Sequence, residues 1–309
     1  MKILVTGGAG FIASHIVDAL IEHGNQVVVV DNLSTGFKRN LNPRAKFYHI
    51  SITDKKLAEI FDIEKPDIVS HHAAQMVVAR SVRDPIFDAS ENILGGLNVI
   101  LNCVRTRVKK IIYASSGGAV YGEPQAFPVS ENYPINPVSQ YGVSKHVMEH
   151  YLYLYNVLEG LDYTVLRYSN VYGPRQNPAG EAGVVAIFAG QMLRGEQPAI
   201  FGDGTKTRDY TFVSDIVQAN LLAMEHGSKS ICNIGTGIET SDKKMFDILA
   251  RIFHFEKEPI FTAARKGEVY RISLNNSLAR RELGWEPRFS LEKGLEMSAD
   301  YYRQINTTK

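Results

Sequence analysis

The stretch that most limits the fold is Gly7-Gly8-Ala9-Gly10-Phe11-Ile12-Ala13, which follows the apolar run Ile3–Val5 and opens an amphipathic segment from Phe11 to Glu22. A glycine-rich turn between a buried strand and a helix lets a phosphate approach the backbone. No side chain stands in the way, and the helix amino terminus offers free N–H groups and the positive end of its dipole. Gly7 is expected to make the tight bend and Gly10 to leave room for a pyrophosphate, with Phe11 and Ile12 opening the helix beside it. Ala13 stands at the third glycine position and still permits close helix-to-sheet packing. About 20 residues further on, as the dinucleotide pattern requires, VVVV at 27–30 ends in Asp31-Asn32. An acid there accepts hydrogen bonds from the ribose hydroxyls and repels a 2′-phosphate. No Lys or Arg follows before Lys38, so the pattern selects NAD over NADP.

The first half continues the alternation, with apolar runs at 46–49, 68–72 and 110–114 and an amphipathic segment at 93–104. Such alternation builds a parallel sheet covered on both faces. Val143, Val147, Tyr151, Leu154 and Leu158 then repeat at helical spacing over about 139–159. After a strand at 164–167, Gly, Pro and Asn cluster through 170–183, and loops of that length usually have a function. Helices at about 184–194, 214–226 and 241–253, with short strands near Ile200 and at 231–234, make a looser carboxy-terminal part. The expected fold is α/β, a Rossmann-type doubly wound parallel sheet with a smaller α/β substrate-binding part. The division falls near residue 175: 1–175 binds NAD and carries the catalytic groups, 176–309 binds substrate, and some strands and helices interleave.

Lys plus Arg total 34 against 33 for Asp plus Glu, so no global field recruits nucleic acid, and anion binding must be local. No apolar run approaches the roughly 20 residues of a spanning helix, and the chain opens directly on a strand, so a cytoplasmic protein without membrane contact is expected. Cys103 and Cys232 lack the spacing of a zinc site and the density of a disulfide framework, which makes them buried thiols. His71-His72 resembles a metal pair, but neighbours on a strand face opposite ways and no third ligand is near, so no metal is expected.

Tyr141 and Lys145 lie four residues apart on the 139–159 helix and project from one face. A lysine ammonium there lowers the phenol's pKa through space and makes it a usable base. The run at 110–114 ends in Ser115-Ser116-Gly117-Gly118, at the carboxyl edge of a parallel sheet, where ligands bind. One hydroxyl to hold a carbinol, a phenolate to take its proton and a nicotinamide to take its hydride make a complete set for hydride chemistry.

These motifs together resemble the extended short-chain dehydrogenase/reductases, most closely the UDP-glucose (UDP-galactose) 4-epimerases. The similarity runs through TGGAGFIAS at 6–14, DNLSTG at 31–36, HHAAQ at 71–75, YASSGGAVYGEP at 113–124, YGVSK at 141–145 and LRYSNVYGPRQ at 166–176. The resemblance implies Tyr141 as base, Lys145 as its modulator and Ser116, or failing that Ser115, as the substrate-orienting hydroxyl. It extends the cofactor set to Asn32, Ser34, Thr35 and Gly36 after Asp31, to Ser51 and Ile52, and to Ala73, Ala74 and Gln75. Asn92, Ser115 and Tyr168 complete that set, with Tyr141 and Lys145 touching cofactor as well. A UDP-sugar is implied as substrate, held by Asn170, Val184, Phe201, Arg208, Arg265 and Glu268 together with Ser116 and Tyr141. A homodimer is implied through a four-helix bundle made by the helices at about 90–105 and 139–159, which would employ the aromatic run YLYLY at 151–155.

Dehydratases and decarboxylases of this superfamily carry a glutamate two residues before the tyrosine of the V-Y-G segment; here that place is Ala119. Epimerisation at C4 needs no such extra acid, so interconversion of UDP-glucose and UDP-galactose through a 4-keto sugar is expected ahead of a 4,6-dehydratase or decarboxylase. Ser51 and Met76 replace an aspartate and a lysine that relatives place near the cofactor, which suggests weaker NAD retention. Ile272 replaces a tyrosine that narrows the sugar pocket in one branch, which leaves a UDP-N-acetylhexosamine open. A non-catalytic dinucleotide sensor is the remaining alternative, and an intact Ser116, Tyr141 and Lys145 weigh against it.

Overall fold

The computed structural model describes residues 1–178, 183–264 and 269–307. The strands are β1 (Lys2–Thr6), β2 (Gln26–Asp31), β3 (Lys46–His49), β4 (Ile68–His71), β5 (Lys110–Ser116) and β6 (Asp162–Tyr168), then β7 (Asn170–Tyr172), β8 (Ala199–Phe201), β9 (Thr207–Phe212), β10 (Ser230–Ile234), β11 (Glu239–Ser241) and β12 (Ile260–Thr262). Between the first six lie α1 (Phe11–Glu22), α2 (Leu57–Glu64), the short α3 (Val78–Arg83) and α4 (Pro85–Ala89), α5 (Gly95–Arg105), the single-turn α6 (Gly117–Val120) and the long α7 (Gln140–Glu159). The rest of the chain adds α8 (Val184–Leu193), α9 (Val213–Ala223), α10 (Asp242–Phe253), α11 (Ser277–Leu283) and α12 (Leu291–Thr307).

Seven strands pair in the order β3-β2-β1-β4-β5-β6-β10, all parallel. Their interior residues are apolar on both faces because both faces are covered. Leu57, Phe61, Val99, Ile100, Met148 and Leu152 of α2, α5 and α7 pack on one face. Ile16, Val17, Leu20, Ile216, Ala219 and Trp285 pack on the other, bringing α9 from the second half of the chain against α1. The chain's direction across the sheet reverses between β1 and β4, and that reversal opens a crevice at the carboxyl edge, where the glycine turn and residues 72–75 emerge.

Two elements depart from the local pattern. The strand at 231–234, read with the carboxy-terminal part, instead closes the main sheet, with Ser230 opposite Thr164 in register. The glycine-rich stretch after residue 169 contains β7, which pairs with β9 in a separate three-stranded sheet. Short apolar runs specify a strand but not its partner, so these placements follow from packing. A further core around Phe188, Phe212, Phe246 and Leu249 holds the carboxy-terminal layer together. Among the described residues, no helix is long and apolar enough to cross a membrane.

Candidate active site

At the end of β1, Gly7 has φ +72° and its N–H donates to the Val30 carbonyl at 2.8 Å. A Cβ on Gly7 would lie 2.8 Å from the Ala73 backbone nitrogen, so both its dihedral and its contact with the β4 edge demand glycine. Gly10 caps α1 in extended conformation with no side-chain acceptor, which leaves the first-turn N–H groups for a ligand. Asp31 is 7% exposed; its carboxylate accepts from the Ala9 N–H at 2.9 Å and the Leu33 N–H at 2.7 Å. It therefore ties the end of β2 to the glycine turn. Asn32 accepts from the Ser34 N–H at 3.0 Å, and Phe37 N–H donates to the Ala9 carbonyl at 3.0 Å, so Ser34, Thr35 and Gly36 run alongside the same turn. A glycine cradle, an uncapped 12-residue helix start and an acid at the end of β2 fit a dinucleotide, with NAD's pyrophosphate at α1 and its ribose at Asp31.

The opposite wall is built from β4. The Ala73 N–H donates to Thr6 Oγ1 at 3.1 Å, and the Gln75 N–H donates to Asn92 Oδ1 at 2.8 Å. Asn92 lies in a wide i→i+5 turn over Ser90–Leu94 between α4 and α5, a geometry that is frequent at functional sites. Ser51 and Ile52 follow β3; Ile52 is buried and its carbonyl accepts from Asn98 Nδ2 at 2.7 Å. Tyr168 ends β6, but its hydroxyl is held by His72 Nε2 at 3.1 Å and Asn220 Nδ2 at 2.7 Å, so only the strand end is presented to the crevice. His71 bonds Thr6 Oγ1 at 2.7 Å; burial, aided by the Lys145 charge, drops both neighbouring histidines to about 3, so both rings are neutral. Among the described residues no group of three metal-ligating side chains forms.

Between these walls stand the two serines and α7. Ser139 caps α7 by accepting from the Gly142 N–H at 3.2 Å, which fixes the helix start one residue before Tyr141. Ser116 lies beside the half-buried Tyr141 phenol and favours its ionised form. Ser115 faces away: it is 3% exposed and donates to Glu149 Oε1 at 2.5 Å. The strand alternation of β5 thus separates the serines, one toward the crevice and one into the protein. Lys145 is buried, donates to the Ala114 carbonyl at 2.9 Å, and lies 5.9 Å from the Tyr141 ring centre.

The electrostatics differ from the sequence expectation. Burial lifts the Tyr141 phenol to about 12, with the Ser116 hydroxyl opposing and the Asp88 charge adding. Burial lowers Lys145 to about 8, against the carboxylates of Asp88 and Glu149. The protein alone therefore holds a protonated phenol beside an ammonium close to its titration point. Desolvation outweighs the through-space effect anticipated from the i,i+4 spacing.

Sequence reading missed Glu149. Burial disfavours its charge, but hydrogen bonds from His146, Arg167 and Ser115 win and hold its carboxyl below the usual range. Arg167 grips it at 2.9 and 2.6 Å and donates to the Tyr121 hydroxyl at 2.7 Å. Glu149 follows Lys145 by one helical turn and Tyr141 by two, and that shared face was the available signal. On the substrate side, a Cβ on Gly118 would lie 3.3 Å from Asn170 Oδ1 and 4.0 Å from Ser116 Oγ, so Asn170 joins the serine turn. Arg208, half-buried on β9, donates to the carbonyls of Thr207 at 2.8 Å and Tyr270 at 3.3 Å. Val184 opens α8 and Phe201 ends β8, both half-buried, while Arg265 and Glu268 lie outside the described residues. Ala119 is buried, and its backbone carbonyl lies 2.7 Å from where a Cβ on Gly142 would stand, so the turn that carries it packs directly on the start of α7.

Residues 3–235 match the model of the NAD dependent epimerase/dehydratase family. The putative UDP-glucose 4-epimerase of Methanocaldococcus jannaschii is 49% identical over 99% of this chain and 100% of its own. A solved UDP-glucose 4-epimerase of Thermotoga maritima with UDP-glucose superposes with a TM-score of 0.98 at 51% identity, covering 99% of this chain and 100% of that one. The Thermus thermophilus UDP-glucose 4-epimerase complex with NAD gives 0.93 at 40% identity, covering 98% and 99%.

Proposed function

This chain belongs to the NAD dependent epimerase/dehydratase family, and we propose that it interconverts UDP-glucose and UDP-galactose by oxidising C4 and reducing it again from the other face. The observation that carries the reading is the placing of Ser116 beside the Tyr141 phenol, one helical turn from Lys145, with alanine at 119 in place of a carboxylate. NAD, when bound, supplies the acceptor for the C4 hydride and gives it back. Ser116 holds the 4-OH and Tyr141, acting as the phenolate, takes its proton as the C4–H bond breaks; the phenol so formed returns the proton when C4 is reduced. Lys145 stabilises the phenolate and donates to the ribose. A buried ammonium with an acceptor on one side only has donors left for that task.

Between the two transfers the 4-keto ring must turn over, so the nucleotide has to be gripped more firmly than the sugar. Asn170, Val184, Phe201, Arg208, Arg265 and Glu268 are assigned to that grip, with arginine matched to the diphosphate by its planar donor fork. Ile272 packs with Val120, Tyr121, Val129 and Leu274 and sets no phenol against the sugar, so the N-acetylated sugars belong in the assay. The exposed Val143, Tyr153, Leu154, Val157 and Leu158 of α7, with Leu94 and Leu101, form the apolar stripe assigned to a four-helix dimer interface.

Purified protein incubated with UDP-glucose, UDP-galactose and their N-acetyl counterparts, with and without added NAD, tests the reading. UDP-galactose from UDP-glucose is expected, and a dehydrated or decarboxylated product overturns it. Tyr141→Phe is expected to keep NAD and lose turnover; full activity in that variant removes the phenol from the mechanism.

A further inference from the structure

Asp88, on the short α4, is 1% exposed, and its hydrogen-bond donors are neutral amides: Gln75 Nε2 at 2.8 Å and Asn92 Nδ2 at 3.1 Å, both to Oδ1. Among the described residues it has no salt-bridge partner. The Asn92 side chain is also locked to the Gln75 backbone, since the Gln75 backbone N–H donates to Asn92 Oδ1 at 2.8 Å and Asn92 Nδ2 donates to the Gln75 backbone carbonyl at 3.0 Å. Asn92 Nδ2 also reaches Ser144 Oγ at 3.0 Å, and the Ser144 hydroxyl donates to the Tyr141 carbonyl at 3.0 Å. A second tether joins the same turn of α7 to α3, where Ser81 Oγ accepts from the Tyr141 N–H at 3.1 Å. One buried carboxylate therefore anchors a chain of bonds running from the crevice wall at Gln75 to the helical turn that bears Tyr141 and Lys145.

Its charge acts on Lys145, while Arg80 of α3 stacks on the neighbouring Phe87 at 3.9 Å. Lys145 is faced by His71 from β4 and His72 just after it, Tyr113 from β5, Tyr141 and Glu149 on its own helix, and Asp88. The histidines are neutral, the two phenols are protonated, and Glu149 is already matched by Arg167. Asp88 is left as the unmatched negative charge acting on the ammonium.

We propose that Asp88 is a positioning residue for the acid–base pair: its carboxylate fixes Gln75 and Asn92 against the turn of α7 that carries Tyr141, and its charge keeps Lys145 an ammonium ion. The proposal rests on the reading of Tyr141 and Lys145 given above. Burial of an ammonium ion without a counter-charge favours the neutral amine, so the carboxylate offsets part of what desolvation costs Lys145. The same negative charge holds the proton on Tyr141, which ties the ionisation of both groups to one residue.

Removing that charge lowers the proton affinity of the phenol and of the amine together. A bell-shaped rate profile that needs phenolate and ammonium then moves bodily to lower pH, by about one unit for a buried neighbour. A residue that only supports the fold changes the height of the bell and leaves it in place. Asp88→Asn keeps shape and removes charge; Asp88→Glu keeps charge and disturbs shape. With the NAD-loaded enzyme and UDP-galactose, the Asn variant is expected to show the displaced bell, a roughly tenfold loss of kcat on its basic side and a KM within about threefold of wild type. The Glu variant is expected to keep the wild-type bell, whatever its stability.

An Asn bell that superposes on wild type, or a Glu bell displaced as far as the Asn one, overturns the proposal. If the Asn variant does not fold, Asp88→Ser replaces it as the neutral form, and if neither folds the position of the Glu bell decides. Tyr141→Phe in the same assay separates the two levels of inference. Activity there removes the acid–base reading itself, whereas an inactive Phe variant with an unmoved Asn bell removes only the role of Asp88.

Discussion

Replacing each serine of the 115–116 pair by alanine separates stability from chemistry, because the two hydroxyls have opposite surroundings. Ser115 is 3% exposed and gives its proton to the ionised Glu149 at 2.5 Å. A hydrogen bond to a charged group in a buried site contributes about 1.5–3 kcal/mol. For a chain of 309 residues the entropy of unfolding makes each kcal/mol worth about 1.5 °C, so Ser115→Ala is expected to lower the Tm by ~2–5 °C. Its kcat should stay within about threefold of wild type, since Arg167 and His146 still hold Glu149. Ser116 has no hydrogen bond into the interior among the described residues and lies beside the Tyr141 phenol. Ser116→Ala is therefore expected to leave the Tm within about 1 °C while cutting kcat by about 10²-fold, the size usual for one lost transition-state hydrogen bond. Differential scanning calorimetry and coupled-assay kinetics on the two variants measure both axes. Equal loss of kcat in both variants, or an undiminished rate in Ser116→Ala, refutes the division of labour read from β5.

Three further outcomes follow from the electrostatics and the surface. Lys145 has a folded pKa of about 8 against an ordinary 10.5, so the unfolded chain binds the extra proton between those values and stability rises with pH through that window. Lys145→Met should accordingly raise the Tm near pH 7, with the gain shrinking toward pH 10; a difference that does not vary with pH contradicts the buried ammonium. His71 and His72 fall to about 3 in the folded protein, so protons bind preferentially to the unfolded chain below about 6.5 and stability drops as pH falls toward 3. Denaturant midpoints in His71→Asn should show a shallower acid limb, and an identical limb would remove that ring from the account. For the dimer proposed through α7, Leu154→Glu with Leu158→Glu is expected to give a monomer by light scattering with little change in monomer fold, because both side chains are exposed in the single chain. An unchanged mass places the interface elsewhere.

The individual strands, the glycine turn and the shared helical face of Tyr141 and Lys145 were legible because each is encoded within a few consecutive residues. Strand β1, Gly7 to Gly10 and the start of α1 form a continuous segment, and Tyr141 and Lys145 share one helical face by spacing alone. The choice between the two serines was not legible. Their order in sequence is symmetrical, and only the pleat of β5 against α7 decides which hydroxyl meets a carboxylate and which meets the phenol. Glu149 and Asp88 escaped for a related reason. An acid on a helix is usually solvated, and nothing local says that Arg167 from β6 or the amides of Gln75 and Asn92 will close over it.

Periodicity and glycine placement by themselves thus determined an NAD-binding α/β chain with a parallel sheet. Both are short-range signals, set by backbone sterics and by the alternation of buried faces. The tertiary structure alone decided that β10 closes the main sheet and that Tyr168's hydroxyl is spent inside the protein. It also decided the protonation of Tyr141 and Lys145, because desolvation depends on everything that packs around a group, and the spacing of the two residues says nothing of that surrounding.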